Sequence, residues 1–198
     1  MESELTQIVA EQLRETSENL HLMTKDAALL TTIAQVAQAC VDALRQHHKI
    51  LFAGNGGSAA DAQHLAAELV SRYAYDRPGL SAFALTTDTS VLTAIGNDYG
   101  YERLFVRQIE ALASAGDVFF GISTSGRSPN VLNAFAAARA KRLITVGMTG
   151  RAGGQMAERC DYVLRVPSDS TPRIQEGHIV MGHAICQIIE ARLFPQTS

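Results

Sequence analysis

Short runs of apolar residues alternate with longer stretches of helical character from Lys49 to the end of the chain. The runs hold few polar residues and show no alternation in polarity, which is typical of parallel strands covered on both faces. This pattern predicts an open, doubly wound α/β sheet of about five parallel strands flanked by helices. In chain order, the predicted strands cover 50–53, 82–85, 118–122, 143–146 and 162–166.

Two further helices are predicted before the first strand, where Leu5, Ile8 and Leu13 begin an apolar pattern of helical spacing. A length of 198 residues suits one compact domain. We therefore expect a single domain over 1–198, with 1–47 as a helical extension packed on it. From the second helix onward, the predicted helices cover about 27–46, 59–73, 101–115, 129–140, 154–159 and 172–193.

Composition excludes several classes of partner. The formal net charge is -3 and Lys and Arg form no block, so no nucleic-acid partner is expected, because backbone phosphates require clustered cations. No stretch approaches about 20 continuous apolar residues, and the acidic, polar start does not resemble a secretory signal. No membrane partner is expected, and the protein is predicted to be cytoplasmic. Cys40, Cys160 and Cys186 form no CxxC pair and are predicted to stay reduced.

A glycine-rich loop follows the first predicted strand, with the sequence Gly-Asn-Gly-Gly-Ser over 54–58. In doubly wound sheets, ligands bind beyond the carboxyl ends of the strands. Glycines there let the backbone approach a ligand closely, and the amino end of the next helix favours anions. The loop lacks the lysine of a Walker motif, and a simple tight turn is the alternative interpretation.

A hydroxyl-rich loop follows the third predicted strand and contains Ser123, Thr124, Ser125 and Ser128. Four hydroxyls at the start of a helix suit a phosphate monoester, because they add donors to the partial positive charge of the helix amino end. An ordinary helix cap is the alternative, although it needs only one hydroxyl. Two such loops on alternating strands favour a ligand site.

Candidate metal ligands lie on two predicted helices. His64 and Glu68 are four residues apart and therefore share a helix face, where a histidine and a carboxylate can bind one divalent ion. The final helix adds Gln175, Glu176, His178 and His183. Gln175 and His183 are separated by about 80° around the helix. Spacing alone does not decide between His178 and His183.

Four motifs lie between residues 54 and 178: GNGGSAADAQH, LTTDTSVLTAIGNDYGY, GISTSGRSPN and RIQEGH. With them the chain resembles the sugar-isomerase (SIS) domain family and, more narrowly, the bacterial phosphoheptose isomerases. The resemblance implies isomerisation of D-sedoheptulose 7-phosphate to D-glycero-D-manno-heptose 7-phosphate through a metal-assisted enediol. The product would serve nucleotide-activated heptose biosynthesis for lipopolysaccharide or capsule. It also implies a homotetramer with active sites at subunit contacts.

The resemblance also implies which residues form the site. One Zn²⁺ per active site would be held by His64, Glu68, Gln175 and His183, which leaves His178 a structural role. Substrate contacts are implied for Asn55, Gly56, Gly57, Ser58, Glu68, Asn97, Asp98, Ser123, Thr124, Ser125, Ser128 and Gln175. Arg72, one turn beyond Glu68, is a further substrate-binding candidate, with a surface salt bridge as the alternative.

The reaction requires a base near C1, an acid near the carbonyl oxygen and stabilisation of developing negative charge. Glu68 is the predicted base that moves the proton, and His183 is the predicted acid and base for the oxygen. A residue that holds a metal ion is less free to move protons, so Glu68 is expected to be ligand, base or both.

Three other functions are alternatives to this one. The first is a non-catalytic member of the same family that binds a replication initiator; that subgroup lacks the carboxylate and the final histidine, whereas this chain keeps Glu68 and His183. Isomerases of arabinose 5-phosphate carry regulatory domains for which 198 residues leave no room. A ligand-sensing regulator would need a DNA-binding segment, and none is visible in the sequence.

Overall fold

Five parallel strands form one sheet in the computed structural model, which describes residues 2–196. The predicted fold class, a doubly wound parallel sheet with helices on both faces, is confirmed. The strand order is β2-β1-β3-β4-β5, and every neighbouring pair is parallel. The strands are β1 (Ile50–Gly54), β2 (Ala82–Ala84), β3 (Val118–Ile122), β4 (Ile144–Thr149) and β5 (Tyr162–Arg165).

Seven α-helices accompany the sheet in the described part of the chain. They are α1 (Glu2–Lys25), α2 (Ala27–Arg45), α3 (Gly57–Val70), α4 (Thr89–Tyr99), α5 (Leu104–Leu112), α6 (Pro129–Ala140) and α7 (Thr171–Leu193). The sequence did not predict α4, which begins after Asp88, whose carboxylate accepts a hydrogen bond from the Val91 N–H. The helix predicted at 154–159 is a 3₁₀ turn, Gly154–Glu158, and another such turn, Tyr101–Arg103, precedes α5.

Each face of the sheet packs against its own group of helices. Ile50 and Phe52 of β1 join a core that includes residues of α2, α3 and α7, whereas Leu51 and Ala53 join a core that includes residues of α4, α5 and α6. All four side chains are buried. This burial on both faces explains why the strand sequences show no polar alternation.

The second helix, α2, is the one helix among residues 2–196 that is long and apolar enough to cross a membrane by length and composition. In this fold α2 packs against α7, and Val36, Ala37 and Val41 are fully buried. Burial in the core accounts for the apolar character of that face. The preceding helix, α1, contacts α7 and α2.

The strand order places a topological switch point between β1 and β3. From β1 the chain passes to β2 on one side, and the later strands β3, β4 and β5 extend the sheet on the other. In this arrangement the crevice that receives ligands opens between the loops after β1 and β3. These are the glycine-rich loop and the hydroxyl-rich loop.

Candidate active site

The glycine-rich loop joins the end of β1 to the amino end of α3. Gly56 has a φ of 55°, in the left-handed region that favours glycine, and α3 begins at Gly57. Ser58 is buried, and its N–H donates to the Asn55 carbonyl. Beside the loop lies a cavity of about 340 Å³ lined by Asn55, Gly56, Tyr101 and neighbouring residues. The backbone at the start of α3 is therefore open to a ligand.

The hydroxyl-rich loop joins the end of β3 to the amino end of α6. The Ser123 and Ser128 hydroxyls lie 2.8 Å apart, and the Ser125 hydroxyl accepts a hydrogen bond from the Arg127 N–H. Ser128 occupies the N-cap position of α6, yet its side chain makes no capping hydrogen bond. Thr124 is half-buried and Ser125 is exposed, both close to the amino end of α6. This arrangement suits an anion.

An amide pair connects the two loops. Asn55 and Asn130 exchange side-chain hydrogen bonds of 2.9 and 2.8 Å, and the Tyr101 hydroxyl donates to the Asn55 side-chain oxygen at 2.9 Å. Asn130 is 2% exposed, and its amide oxygen also accepts the Val131 N–H. The side chain of Asn55 is therefore fixed from both sides.

Three side chains from two helices converge on one point. The His64 Nε2 atom lies 3.2 Å from Glu68 Oε1 and 2.9 Å from His183 Nε2. The ligand atoms of the three residues all lie within 4.8 Å of one another. His64 and Glu68 belong to α3, and His183 belongs to α7. Of the two histidines that spacing left open, the structure brings His183 to the cluster.

The donor set fits a zinc ion. Two imidazole nitrogens and a carboxylate oxygen are the common ligands of catalytic zinc, which keeps a further position open for water or substrate. A tetrahedral ion with bonds of about 2.0–2.1 Å would hold its ligand atoms roughly 3.3 Å apart. The distances around His64 are close to that value. His64 is also 48% exposed at its side chain, so the cluster is open to solvent.

His178 is fully buried, and within residues 2–196 its ring nitrogens make no well-aligned hydrogen bond, only a weak interaction with the Thr149 carbonyl. Burial lowers the pKa of His178 to about 4, and the Thr149 carbonyl opposes this shift. A neutral, enclosed imidazole agrees with the structural role predicted for it.

Gln175 lies apart from the three-residue cluster. Eight residues of helix place it about 12 Å from His183 along the axis of α7. Its side-chain amide instead lies against Gly57, where an added Cβ would be 2.0 Å from the amide nitrogen. The structure thus brings Gln175 to the glycine-rich loop, and its substrate and metal roles both stay predictions.

The remaining predicted substrate residues lie at the protein surface. Arg72 is exposed just beyond the end of α3. Asn97 and Asp98 are exposed in the last turn of α4, where the Asn97 amide donates to Asp98. Asp98 lines a groove that also contains Phe83, separate from the cavity beside the glycine-rich loop. The substrate-binding roles of these three residues stay predictions.

Some residues of the site were not predicted from the sequence. Asn130 and Tyr101 stand inside two of the quoted motifs, but no role was assigned to them. Asp61 lies one turn before His64, and burial raises the pKa of its carboxyl to about 6, although His64 acts to lower it. The ring of Tyr73 lies 5.7 Å from that of His183. Asp61 was recognisable by its place on the face of α3 that carries His64.

Comparisons with known proteins agree on one family. A model of the SIS domain matches residues 13–150. The phosphoheptose isomerase of Burkholderia pseudomallei (strain 1710b) is 55% identical over 194 residues, which is 98% of each chain. That of Aneurinibacillus thermoaerophilus is 58% identical over 169 residues, or 85% of each chain. The solved structure of phosphoheptose isomerase GmhA from Neisseria gonorrhoeae has a TM-score of 0.89 at 45% identity, with 94% of this chain and 99% of that chain covered.

Proposed function

The chain belongs to the SIS domain family and, within it, to the phosphoheptose isomerases, and we propose that it performs their reaction with His64, Glu68 and His183 around one divalent metal ion. It is a ketose–aldose isomerase of heptose biosynthesis. The proposed reaction interconverts D-sedoheptulose 7-phosphate and D-glycero-D-manno-heptose 7-phosphate.

The observation that carries the proposal is the convergence of His64, Glu68 and His183. Residues 119 positions apart bring two imidazole nitrogens within 2.9 Å of each other beside a carboxylate. Two nitrogens that face each other so closely require a shared proton or a shared cation, and the adjacent carboxylate favours a cation. We propose Zn²⁺, one per active site. Gln175 of a neighbouring subunit is the proposed fourth ligand, because Gln175 of the same chain lies at the glycine-rich loop.

The reaction moves a proton between C1 and C2 of the substrate through an enediol. When bound, the metal ion would polarise the substrate oxygens as a Lewis acid. Glu68 takes the proton from C1 and returns it to C2. Its Oε1 atom faces His64, and the carboxylate has a second oxygen that can carry the proton. His183 transfers the proton of the substrate oxygen.

The two loops would hold the rest of the substrate. The hydroxyls of Ser123, Thr124, Ser125 and Ser128, at the amino end of α6, are proposed to bind the phosphate. The backbone of Gly56 and Gly57 and the side chains of Asn55 and Gln175 are proposed to contact the sugar. The fixed position of Asn55 between Asn130 and Tyr101 supports this role, because a preorganised donor loses little entropy on binding. Ser58, Arg72, Asn97 and Asp98 complete the proposed substrate site.

The proposal also covers the assembly and the cellular setting. We propose one SIS domain over 1–198, with 1–47 as its extension, in a cytoplasmic homotetramer whose active sites lie at subunit contacts. Four large apolar side chains on α1 are 56–67% exposed: Leu5, Ile8, Val9 and Leu13. This exposure supports assembly, because a row of large apolar side chains is typical of a contact surface. The product is proposed to serve lipopolysaccharide or capsule synthesis.

A test of the catalytic base compares wild type with Glu68→Gln. In deuterated water, wild-type enzyme should place deuterium on the substrate carbon that receives the returned proton. Glu68→Gln keeps the shape of the side chain but cannot accept a proton, so both turnover and deuterium incorporation should fall at least about a hundredfold. Nuclear magnetic resonance of the sugar phosphates measures both.

The matched control is Glu110→Gln, because Glu110 is an exposed glutamate on α5 that contacts Arg103 and Arg107. This variant should retain wild-type rates. Near-normal deuterium incorporation by Glu68→Gln would refute its role as the base.

A further inference from the structure

A buried ion pair joins the segment after α3 to α7. Arg77 Nε lies 3.0 Å from Glu190 Oε1, and each side chain is only 1% exposed. Moving two charges out of water costs several kcal/mol per ion, so such a pair persists only when its other hydrogen-bonding groups are also satisfied. The partners of Arg77 and Glu190 therefore indicate what the pair holds in place.

Arg77 caps the carboxyl end of α3. Its guanidinium donates to the Glu68 carbonyl at 2.8 Å, to the Leu69 carbonyl at 2.6 Å and to the Ser71 carbonyl at 3.1 Å. The last carbonyls of a helix have no partner within the helix, and a cation there is favourable. The last turn of α3 contains no basic residue of its own. Arg77 thus fixes the backbone of Glu68 from outside the helix.

Glu190 holds the other side of the same segment. Its Oε1 atom accepts the Tyr73 N–H at 2.9 Å, and its Oε2 atom accepts the Ala74 N–H at 2.8 Å. Burial alone would raise the pKa of this carboxyl, but the two N–H groups and Arg77 outweigh burial and lower it. Glu190 follows His183 by seven residues, two turns along the same face of α7.

We propose that the Arg77–Glu190 ion pair is a positioning element of the metal site, which aligns α3 and α7 so that His64 and Glu68 meet His183. The inference rests on the metal site proposed above. Functional groups on separate elements must be held within about 0.5 Å of their working geometry by supporting contacts. Arg77 bonds to the backbone of Glu68, and Glu190 bonds to the backbone of Tyr73, whose ring lies beside His183.

The test measures metal binding and stability separately on the full chain. Glu190→Gln removes the charge but keeps the size of the side chain. Zn²⁺ affinity is measured by calorimetry on metal-free protein, ligand geometry by the visible absorption spectrum of the Co²⁺-loaded protein, and stability by Tm. We expect Zn²⁺ binding about tenfold weaker or more and an altered Co²⁺ spectrum in protein that is still folded.

The matched control is Asp117→Asn. Asp117 is fully buried and pairs with Lys49 at 2.7 Å at the opposite end of the sheet, before β3. Asp117→Asn should lower Tm as Glu190→Gln does but leave Zn²⁺ affinity and the Co²⁺ spectrum unchanged. Should Glu190→Gln not fold, Arg77→Lys replaces it, because lysine keeps the charge but loses the forked contacts to Glu68 and Leu69.

The outcomes separate the two proposals. If the wild type binds Co²⁺ and the folded variant binds it with the same affinity and spectrum, the ion pair is only structural and the inference is overturned. If the wild type binds neither Zn²⁺ nor Co²⁺, the metal site itself is wrong and the inference falls with it.

Discussion

Asn130 illustrates how one buried side chain can organise a site. It bonds to Asn55 across 75 positions of sequence and so fixes one loop against the other. His178 has the opposite character, because it is enclosed and its ring nitrogens make no well-aligned hydrogen bond among the described residues. A buried polar group without partners costs free energy and is most stable in its neutral form.

His178 should therefore make the folded state sensitive to acid. Its pKa is about 4 in the folded protein and about 6.5 in an unfolded chain. Between these values the unfolded chain binds a proton that the folded chain does not, so stability falls as the pH falls. The loss from this one group is about 3 kcal/mol at pH 4.

His178→Gln should remove this loss, so that its free energy of unfolding falls less steeply from pH 6.5 to pH 4 than that of the wild type. Urea titrations at several pH values measure the difference. His21→Gln is the control, because His21 is exposed on α1 and its replacement should leave the slope unchanged. Parallel curves for His178→Gln and wild type would contradict the prediction.

Helices α3 and α7 carry residues of the proposed site, and the loops before α3 and α6 depend on glycine. Gly126 in the hydroxyl-rich loop has a φ of 63°, and an added Cβ would lie 2.2 Å from the Gly153 carbonyl oxygen. Gly56 in the glycine-rich loop has a similar φ of 55°, but an added Cβ there would meet nothing within 4 Å. A side chain at either position would strain the backbone, but only a side chain at position 126 would also collide with neighbouring atoms.

Gly126→Ala should destabilise the protein more than Gly56→Ala. Both variants strain the backbone by about 1–3 kcal/mol, and only Gly126→Ala must also displace neighbouring backbone. Urea denaturation of both variants gives the comparison. Equal losses of stability in the two variants would contradict this prediction, because they would mean that the backbone around Gly153 moves aside at no cost in free energy.

Element by element, the sequence predicted β1 and β3 well because their burial on both faces leaves a continuous apolar pattern. The edge strand β2 is less buried, since Phe83 is half exposed, and β4 extends to Thr149, three residues beyond the prediction. The sequence missed α4 because this helix contains several residues of modest or low helix propensity. These are the β-branched residues of its first segment, Thr-Ser-Val-Leu-Thr, and Gly96. The N-cap at Asp88 and packing of Ile95 in the core stabilise this helix instead. Tertiary contacts here override local propensity.

For the whole molecule, the alternation of strands and helices was sufficient to predict the doubly wound sheet. It could not predict the strand order or the contact between His64 and His183, because helix packing, not local sequence, sets their distance. The choice between His178 and His183 came from family resemblance; in the structure His183 lies beside His64 and Glu68, and its metal role stays a prediction. The buried Arg77–Glu190 pair left no pattern in the sequence, since its partners are mostly backbone groups.

The central claim is a metal-dependent isomerase with its ion at His64, Glu68 and His183. Its most direct test is turnover of sedoheptulose 7-phosphate by purified protein before chelation, after chelation and after Zn²⁺ is restored, with the metal content per chain measured each time. We predict that activity disappears with the ion and returns as Zn²⁺ is bound again. Full activity in protein shown to be free of metal would contradict the metal site, and no activity with any divalent ion would contradict the isomerase itself.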